Sequence, residues 1–329
     1  MKKKILQMLR DAGAKYVSGE IIAEKMEVSR TAIWKHMQSL RRRGYKIASS
    51  ERLGYKLEEI PDLLLPEIVQ FGLDTKIIAA DPSQFVHKDS VTSTNDLAKK
   101  LAIDGAAEGT VVVAEEQTGG KGRLERSFFS PREKGILFSV ILRPNCLPKD
   151  APKYTLMAAA AVARAMERFN LTSEIKWPND IMHDGRKLVG ILTEMDAEIG
   201  HVNYIVVGIG INVNIKPKDF PENIREIAAS LSEIANKNVR RVEFFRAFLE
   251  EFDKLYLKNN FDEIFKIWRQ YNNTLGKKVT VLSAESGDIF TGTAVDIDKD
   301  GALIVETDEG LKTVYAGDVS IRPSIRPSK

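Results

Sequence analysis

A glycine-rich basic run, Gln117-Thr118-Gly119-Gly120-Lys121-Gly122-Arg123-Leu124-Glu125-Arg126, directly follows a strand-like segment. Its glycines free the backbone to approach a ligand closely. Lys121, Arg123 and Arg126 are spaced so that several can converge on one anion, since Arg forks phosphate oxygens and Lys supplies a point charge. Such a loop can close over an intermediate and exclude water. Taken alone, it fits an exposed hairpin loop equally well. In Lys176-Trp177-Pro178-Asn179-Asp180 the proline restricts the residue before it and fixes the chain direction. The segment then offers a cation, an amide and a carboxylate within one turn. That set can attend a nucleotide and a magnesium ion, or be a proline turn with an Asn/Asp cap. Lys187-Leu188-Val189-Gly190-Ile191-Leu192 places a lysine and a glycine in an apolar strand. Glycine there marks close approach of a ligand, and the lysine can bond a carboxylate or guard a sheet edge. In Gly208-Ile209-Gly210-Ile211-Asn212 the glycines leave room on one face and the isoleucines pack on the other. Asn212 can pair with a base edge or a phosphate, although a lone G-x-G is weak evidence.

Other chemistry is poorly represented. There is no Walker A pattern, and no G-x-G-x-x-G leads from a strand into a helix. The single cysteine, Cys146, permits no internal disulfide and reads as a thiol in a reducing cytosol. His36, His87, His183 and His201 match no metal-ligand spacing. No convincing nucleophile–base pair stands out.

The elements that must position these segments follow from periodicity. Val111–Ala114, Ile136–Leu142, Lys187–Met195 and Val202–Val213 read as strands. Thr94–Ile103, Pro152–Phe169, Asn223–Ala235 and Val242–Leu257 read as helices. The last two strands follow one another with no helix between them, which favours a mixed or antiparallel sheet over a doubly wound one.

The chain of 329 residues is long enough for two or three domains. No apolar run reaches the roughly 18 residues of a membrane span, and no signal peptide follows the basic start. Residues 1–56 hold 14 Lys/Arg against 5 Asp/Glu, an excess of nine, whereas the whole chain is only +3. The remainder therefore carries −6, so a basic, polyanion-binding module precedes a mildly acidic body.

That module reads as a winged helix-turn-helix. Ile5, Leu6 and Leu9 share one face of a first helix ended by Gly13. Ser18 caps a second helix with Ile21, Ile22 and Met26 inward, and Ser29 caps a third with Ile33, Met37 and Leu40 inward, stopped by Gly44. The motif spans about Gly19 to Gln38. Its outward face, with Ser29, Arg30, Thr31, Trp34, Lys35, Gln38 and Arg41, suits the major groove. Tyr45–Ile47 and Leu53–Leu57 form a hairpin wing whose Arg52 can touch phosphate. A basic helical bundle that binds a protein fits the same spacing.

Taken in order, and preceded by Ser93-Thr94-Asn95, the four segments resemble the biotin–protein ligase family, and the resemblance covers nearly the whole chain. It implies an α+β multidomain protein: a winged helix-turn-helix DNA-binding domain (1–62), a linker (63–80), a central mixed-sheet α/β biotin- and ATP-binding domain (81–272), and an SH3-like small β-barrel (273–329). It further implies that Ser93, Thr94, Asn95, Gln117, Lys187, Gly190 and Gly208 line a biotin pocket. Lys121, Gly122 and Arg123 would wrap the carboxylate and adenylate phosphate. Lys187 and Arg123 would be catalytic. Lys176, Asn179 and Asp180 would attend ATP, with Mg²⁺ near Asp180, and Asn212 the adenine. The activity implied is formation of biotinyl-5'-AMP from biotin and ATP, then transfer of biotin to a lysine of a biotin carboxyl carrier domain. Bifunctional members also repress biotin-synthesis genes, so operator DNA, an adenylate-bound homodimer and a cytoplasmic location without membrane association are expected. A lipoate ligase of the same fold and a non-catalytic biotin-sensing transcription factor are the alternatives. The loop departs from the family pattern at Lys121, Glu125 and Phe128, where arginine, glycine and tryptophan are usual.

Overall fold

The computed structural model describes residues 1–123, 126–283, 289–315 and 317–320. The chain forms two compact units, Met1–Leu63 and Leu64–Lys329.

The first unit comprises α1 (Lys2–Asp11), α2 (Gly19–Met26), α3 (Arg30–Arg42) and an antiparallel hairpin of β1 (Lys46–Ser50) and β2 (Gly54–Glu59). The capping serines act as their positions predict: Ser18 Oγ accepts from Glu20 N and Ser29 Oγ from Ala32 N. Ile5, Leu6, Leu9, Ile22, Ile33, Met37 and Leu40 form the core. One inward expectation is corrected. Ile21 is 48% exposed, and Ile22 and Ala23 are the buried pair, because the packed face of this short helix is centred on them. Gly54 sits at φ +99°, and a Cβ there would overlap the Val17 carbonyl. That close approach allows the Val17–Tyr55 bridge that ties the wing to the helices.

The second unit begins with α4 (Pro66–Val69), β3 (Phe85–Lys88), α5 (Thr94–Ile103), β4 (Val111–Ala114), β5 (Gly135–Leu142) and α6 (Ala151–Arg168). It continues with β6 (Glu174–Lys176), β7 (Asp180–His183), β8 (Arg186–Glu198), β9 (His201–Asn212), α7 (Leu231–Ala235), α8 (Arg241–Lys258) and α9 (Phe261–Tyr271). The strands form one sheet in the order β3-β4-β5-β9-β8-β7-β6. Only β3 and β4 pair in parallel, so the mixed sheet expected from sequence is present. Every residue of β5 is buried, because both faces of the sheet are covered. On one face, Ala98 and Ala102 of α5 pack on Val112, Ile141 and Val206. On the other, Phe138 of β5 meets Phe245 and Phe248 of α8 at ring-centroid distances of 4.7 and 5.1 Å.

A buried ion pair ties these layers together. Glu115, just after β4, and Arg241, at the start of α8, are 2% and 1% exposed and joined at 2.7 Å. Arg241 also donates to the Gly135 carbonyl, the Leu64 N–H donates to Glu115, and His87 Nε2 lies 3.5 Å from Glu115. Burial alone would raise the Glu115 carboxyl, but His87, Arg241 and the Leu64 N–H outweigh it and hold the pKa below the usual glutamate value.

Two sequence expectations change. Residues 64–80 are packed into the second unit rather than being an extended linker. The Asp253 carboxylate accepts the N–H groups of Lys76, Ile77 and Ile78, and Arg246 binds the carbonyls of Ile68 and Val69. The helix expected over Asn223–Ala235 is reduced to α7. Upstream, Ala228 bridges Lys187: the Lys187 N–H donates to Ile227 O at 2.7 Å and Ala229 N–H to Lys187 O at 2.9 Å. Pairing with β8 diverts that backbone from the helix.

The C-terminal strands β10 (Lys278–Ser283), β11 (Ile289–Ile297), β12 (Leu303–Thr307), β13 (Gly310–Val314) and β14 (Gly317–Ser320) form an antiparallel sheet ordered β13-β12-β11-β10-β14. Among the described residues no pairing closes β13 onto β14, so the expected small barrel is present as an antiparallel sheet. It packs on the central sheet and its helices. Trp177 Nε1 donates to the Gly301 carbonyl at 3.1 Å, Lys153 pairs with Asp300, and Arg269 with Asp296. No helix among the described residues is long and apolar enough to cross a membrane.

Breaking a buried pair leaves a charge uncompensated, so Glu115→Gln is expected to cost about 3 kcal/mol at pH 7. The depressed folded pKa means that Glu115 stabilises fully above the free glutamate value of about 4.3, and this contribution is lost as pH falls through the lower folded value. Urea midpoints measured from pH 7 to pH 3 check both points: the gap between wild type and Glu115→Gln narrows below about pH 4.

Candidate functional site

The four segments meet on the α5 face of the sheet. One slot is lined by Ser93, Thr94 and Asn95, Gln117, Lys121–Arg123, Phe128, Asn179, Lys187, Gly190–Leu192 and Gly208–Gly210. Helix α5 brings Ser93–Asn95, β8 brings Lys187–Leu192, β9 brings Gly208–Gly210, and the basic loop lies across them. Gly208 shows why a glycine stands there. A Cβ at that position would overlap the Asn95 amide oxygen, so the first turn of α5 can seat directly on the sheet.

That turn is held by a polar chain. Gln117 Oε1 accepts the Thr94 backbone N–H at 2.7 Å and lies 3.0 Å from the Thr94 hydroxyl. The Ser139 hydroxyl lies 2.8 Å from Thr94 Oγ1 and 2.6 Å from Asn95 Oδ1. Asn95 Nδ2 donates to Glu194 at 2.7 Å and to the Leu192 carbonyl at 3.2 Å, and Lys99 pairs with Glu194 at 2.6 Å. Thr94, Asn95 and Ser139 are buried, so these bonds form in a low dielectric where an unmade one is costly.

The basic loop folds back on itself. Lys121 bridges Ser127, Gly122 N–H donates to Arg126 O, and Phe128 N–H to Gly120 O. The Phe128 ring lies on the sheet glycines, where a Cβ at Gly210 would come within 2.5 Å of it and one at Gly190 within 3.3 Å. Leu124 and Glu125 lie outside the described residues. Lys121 Nζ is 2.7 Å from Asp96, whose carboxyl burial would raise but which Lys121 and Lys99 hold below the usual range. Arg123 donates to Asn179 Oδ1 at 3.3 Å, while Asn179 Nδ2 donates to the Ile191 carbonyl at 2.8 Å.

Three of the residues singled out from sequence lie outside the slot lining. Lys176 is the register partner of Asp180 on the neighbouring strand. Asp180 stands beside the slot, opposite Gly190 in register, with Lys187 Nζ 2.6 Å from its Oδ1. That oxygen is buried and makes no hydrogen bond of acceptable angle. Asn212 is buried and donates to the Ala229 carbonyl at 3.1 Å, so it braces the Lys187–Ala228 region. Sequence reasoning missed Asp96, Lys99, Ser139 and Glu194. Only Ser139 left a signal, as the one hydroxyl within the apolar run Ile136–Leu142. No group of three His, Cys, Asp or Glu residues among the described residues could hold a metal.

In the first unit, Arg30, Thr31, Trp34 and Lys35 are exposed along α3, Gln38 is half-buried, and Arg52 is exposed at the wing turn. Ser29 is the helix cap. The Arg41 guanidinium donates to the Ile47 carbonyl at 2.7 and 3.0 Å, which fixes the wing to α3.

Comparison with known proteins agrees with this layout. The model of the biotin/lipoate A/B protein ligase family matches residues 88–212, that of the biotin protein ligase C-terminal domain residues 274–322, and an HTH domain residues 2–56. The bifunctional ligase/repressor BirA of Bacillus subtilis is 38% identical over 98% of this chain and 98% of its own length. The protein of the same name from Escherichia coli is 29% identical over 97% and 96%. Among solved structures, biotin protein ligase from Aquifex aeolicus in complex with biotin and ATP superposes with a TM-score of 0.62 at 30% identity, covering 73% of this chain and 99% of that one.

The space at Gly210 sets how the loop lies. Gly210→Ala is expected to displace the Phe128 ring and loosen the loop, raising the rate of tryptic cleavage at Lys121, Arg123 and Arg126 by about tenfold or more. Mass spectrometry of timed digests reads this directly.

Proposed function

The chain belongs to the biotin protein ligase family, with full-length relatives that are bifunctional ligases and repressors, and from that premise we propose how its own residues perform the two tasks. It is an ATP-dependent biotin–protein ligase that forms biotinyl-5'-AMP and transfers biotin to a lysine of a biotin carboxyl carrier domain. The observation that carries the reading is the convergence of Lys121, Arg123, Asn179 and Lys187 on a slot floored by Gly190, Gly208 and Gly210. An apolar floor with a few placed polar groups is how small-ligand sites are built.

Biotin lies on the glycine floor against Ser93–Asn95 and Gln117, with its carboxylate toward Lys187 and Lys121. ATP lies along Arg123, Asn179 and Lys176, with Asn212 bracing the adenine side. Both substrates are anionic, so the cations must screen their repulsion before the carboxylate can attack the α-phosphate and expel pyrophosphate. Lys121 and Lys187 now hold Asp96 and Asp180, and the substrate carboxylate and phosphates replace these partners. Asp180 fits Mg²⁺, because it offers a buried oxygen without a well-aligned donor, and magnesium is usually held by one or two carboxylates together with substrate phosphates. When bound, Mg²⁺ would neutralise charge on the triphosphate. Folding of the loop over the slot keeps water from the mixed anhydride until a neutral lysine amine of the acceptor attacks it. No covalent enzyme intermediate is required.

The second task belongs to the first unit. Arg30, Thr31, Trp34, Lys35 and Gln38 face the major groove of an operator, and Arg52 reaches phosphate from the wing. Arg41 acts by holding the wing. One such module reads a half-site, so the repressor is a homodimer when the adenylate is bound, and it works in the cytoplasm.

Lys187→Ala is expected to abolish biotin-dependent pyrophosphate release, a loss of at least about 100-fold. Unchanged release would remove Lys187 from the first step. For DNA, Arg30→Ala should weaken operator binding by about tenfold. In wild type, biotin with ATP should convert monomer to dimer and tighten the footprint on a palindromic site. Sedimentation and footprinting measure these effects, and a footprint indifferent to biotin and ATP would sink the coupling.

A further inference from the structure

We propose that Glu194, outside the slot lining, is a positioning residue that fixes the polarity of the Asn95 amide and thereby selects a ligand headgroup bearing N–H donors; this rests on the biotin-ligase reading above. A side-chain amide has nearly the same shape either way round, so its orientation is set by its neighbours. Two acceptors face one end of Asn95: Glu194 Oε2 at 2.7 Å and the Leu192 carbonyl at 3.2 Å. Lys99 Nζ pairs with the other oxygen, Glu194 Oε1, at 2.6 Å and holds the carboxylate in place. The NH₂ end must therefore turn toward Glu194, and Oδ1 must turn toward Ser139 and Gly208, where the Ser139 hydroxyl meets it at 2.6 Å.

Gln117 is fixed in the same sense by a different donor. Its Oε1 receives the Thr94 backbone N–H, and its Nε2 turns toward Ser130 at 3.4 Å. The α5 end of the slot thus presents oxygen lone pairs from Asn95, Gln117 and Thr94, and neither amide N–H is turned toward it. Asn95 Oδ1 already accepts from Ser139 and Gln117 Oε1 from Thr94, so a ligand seated there without N–H groups would leave only the remaining acceptor capacity desolvated, a mismatch that counts against such an analogue. The ureido ring of biotin carries two N–H groups, whereas the dithiolane of lipoate carries none. Discrimination between the two acids therefore comes from polarity, which Glu194 holds from outside the pocket.

The test is ATP–pyrophosphate exchange on the full-length protein with biotin or lipoate as the acid. In Glu194→Ala, the KM for biotin should rise about tenfold, kcat at saturating biotin should stay within about threefold of wild type, and the biotin-to-lipoate ratio of kcat/KM should fall about tenfold. Glu194→Gln, which can offer either an oxygen or an NH₂, should lie between the two. Lys99→Met should move the ratio in the same direction by less, and it keeps the proposal testable if the alanine variant does not fold, as judged by thermal melting. A folded Glu194→Ala protein whose ratio stays within twofold of wild type, or whose kcat falls with KM unchanged, would overturn the role of Glu194. A wild-type protein inactive with biotin would instead overturn the ligase reading itself.

Discussion

The site depends on how closely the first turn of α5 approaches strand β9. At Gly208 there is no Cβ, and the Asn95 amide occupies that space. The contact puts Thr94 within reach of Gln117 and Ser139, and Asn95 within reach of Glu194. A larger residue at 208 would lift the helix and break several buried hydrogen bonds together, since their partners have no water to turn to. Ser93–Asn95, Gln117 and the sheet floor are thus one unit, and the slot is the space that unit leaves.

The loop uses the same device once more. Gly190 and Gly210 leave room for the Phe128 ring, and the ring carries the basic segment across the slot. An ion pair from Lys121 to Asp96 on α5 and a hydrogen bond from Arg123 to Asn179 beside β7 then hold the segment to opposite walls. Each is partly exposed and so modest in strength, which suits a cover that must admit ligand and release product. Phenylalanine at 128 keeps the ring that this packing needs.

Further out, the C-terminal sheet bears on the same wall. Trp177 is buried, its indole N–H bonded to Gly301 and its backbone N–H to Thr274. Two residues on, Asn179 touches Arg123. The Lys176–Asp180 segment is therefore a joint between the C-terminal sheet and the slot as well as part of the slot wall. At the opposite end of the sheet, Glu115 and Arg241 fix residue 64, where the second unit begins.

Much of this was legible in the sequence. Ser18 and Ser29 cap, Gly13 and Gly44 end helices, and the alternation Gly208-Ile209-Gly210-Ile211 already placed the glycines on one face. The basic loop, Lys187 and Ser93–Asn95 could be assigned to one site from their order. These features rest on local periodicity and backbone freedom, which a sequence states directly. Tertiary structure alone decided that residues 64–80 pack rather than link, that Arg41 braces the wing, and that Asn212 lies outside the slot lining, bonded to Ala229. It alone brought Asp96 to Lys121 and Glu194 to Asn95. Those partners stand 25 and 99 residues apart in the chain. Which side chains meet across such separations is set by strand register and by how closely a helix seats on its sheet, and neither leaves a periodic trace in the sequence.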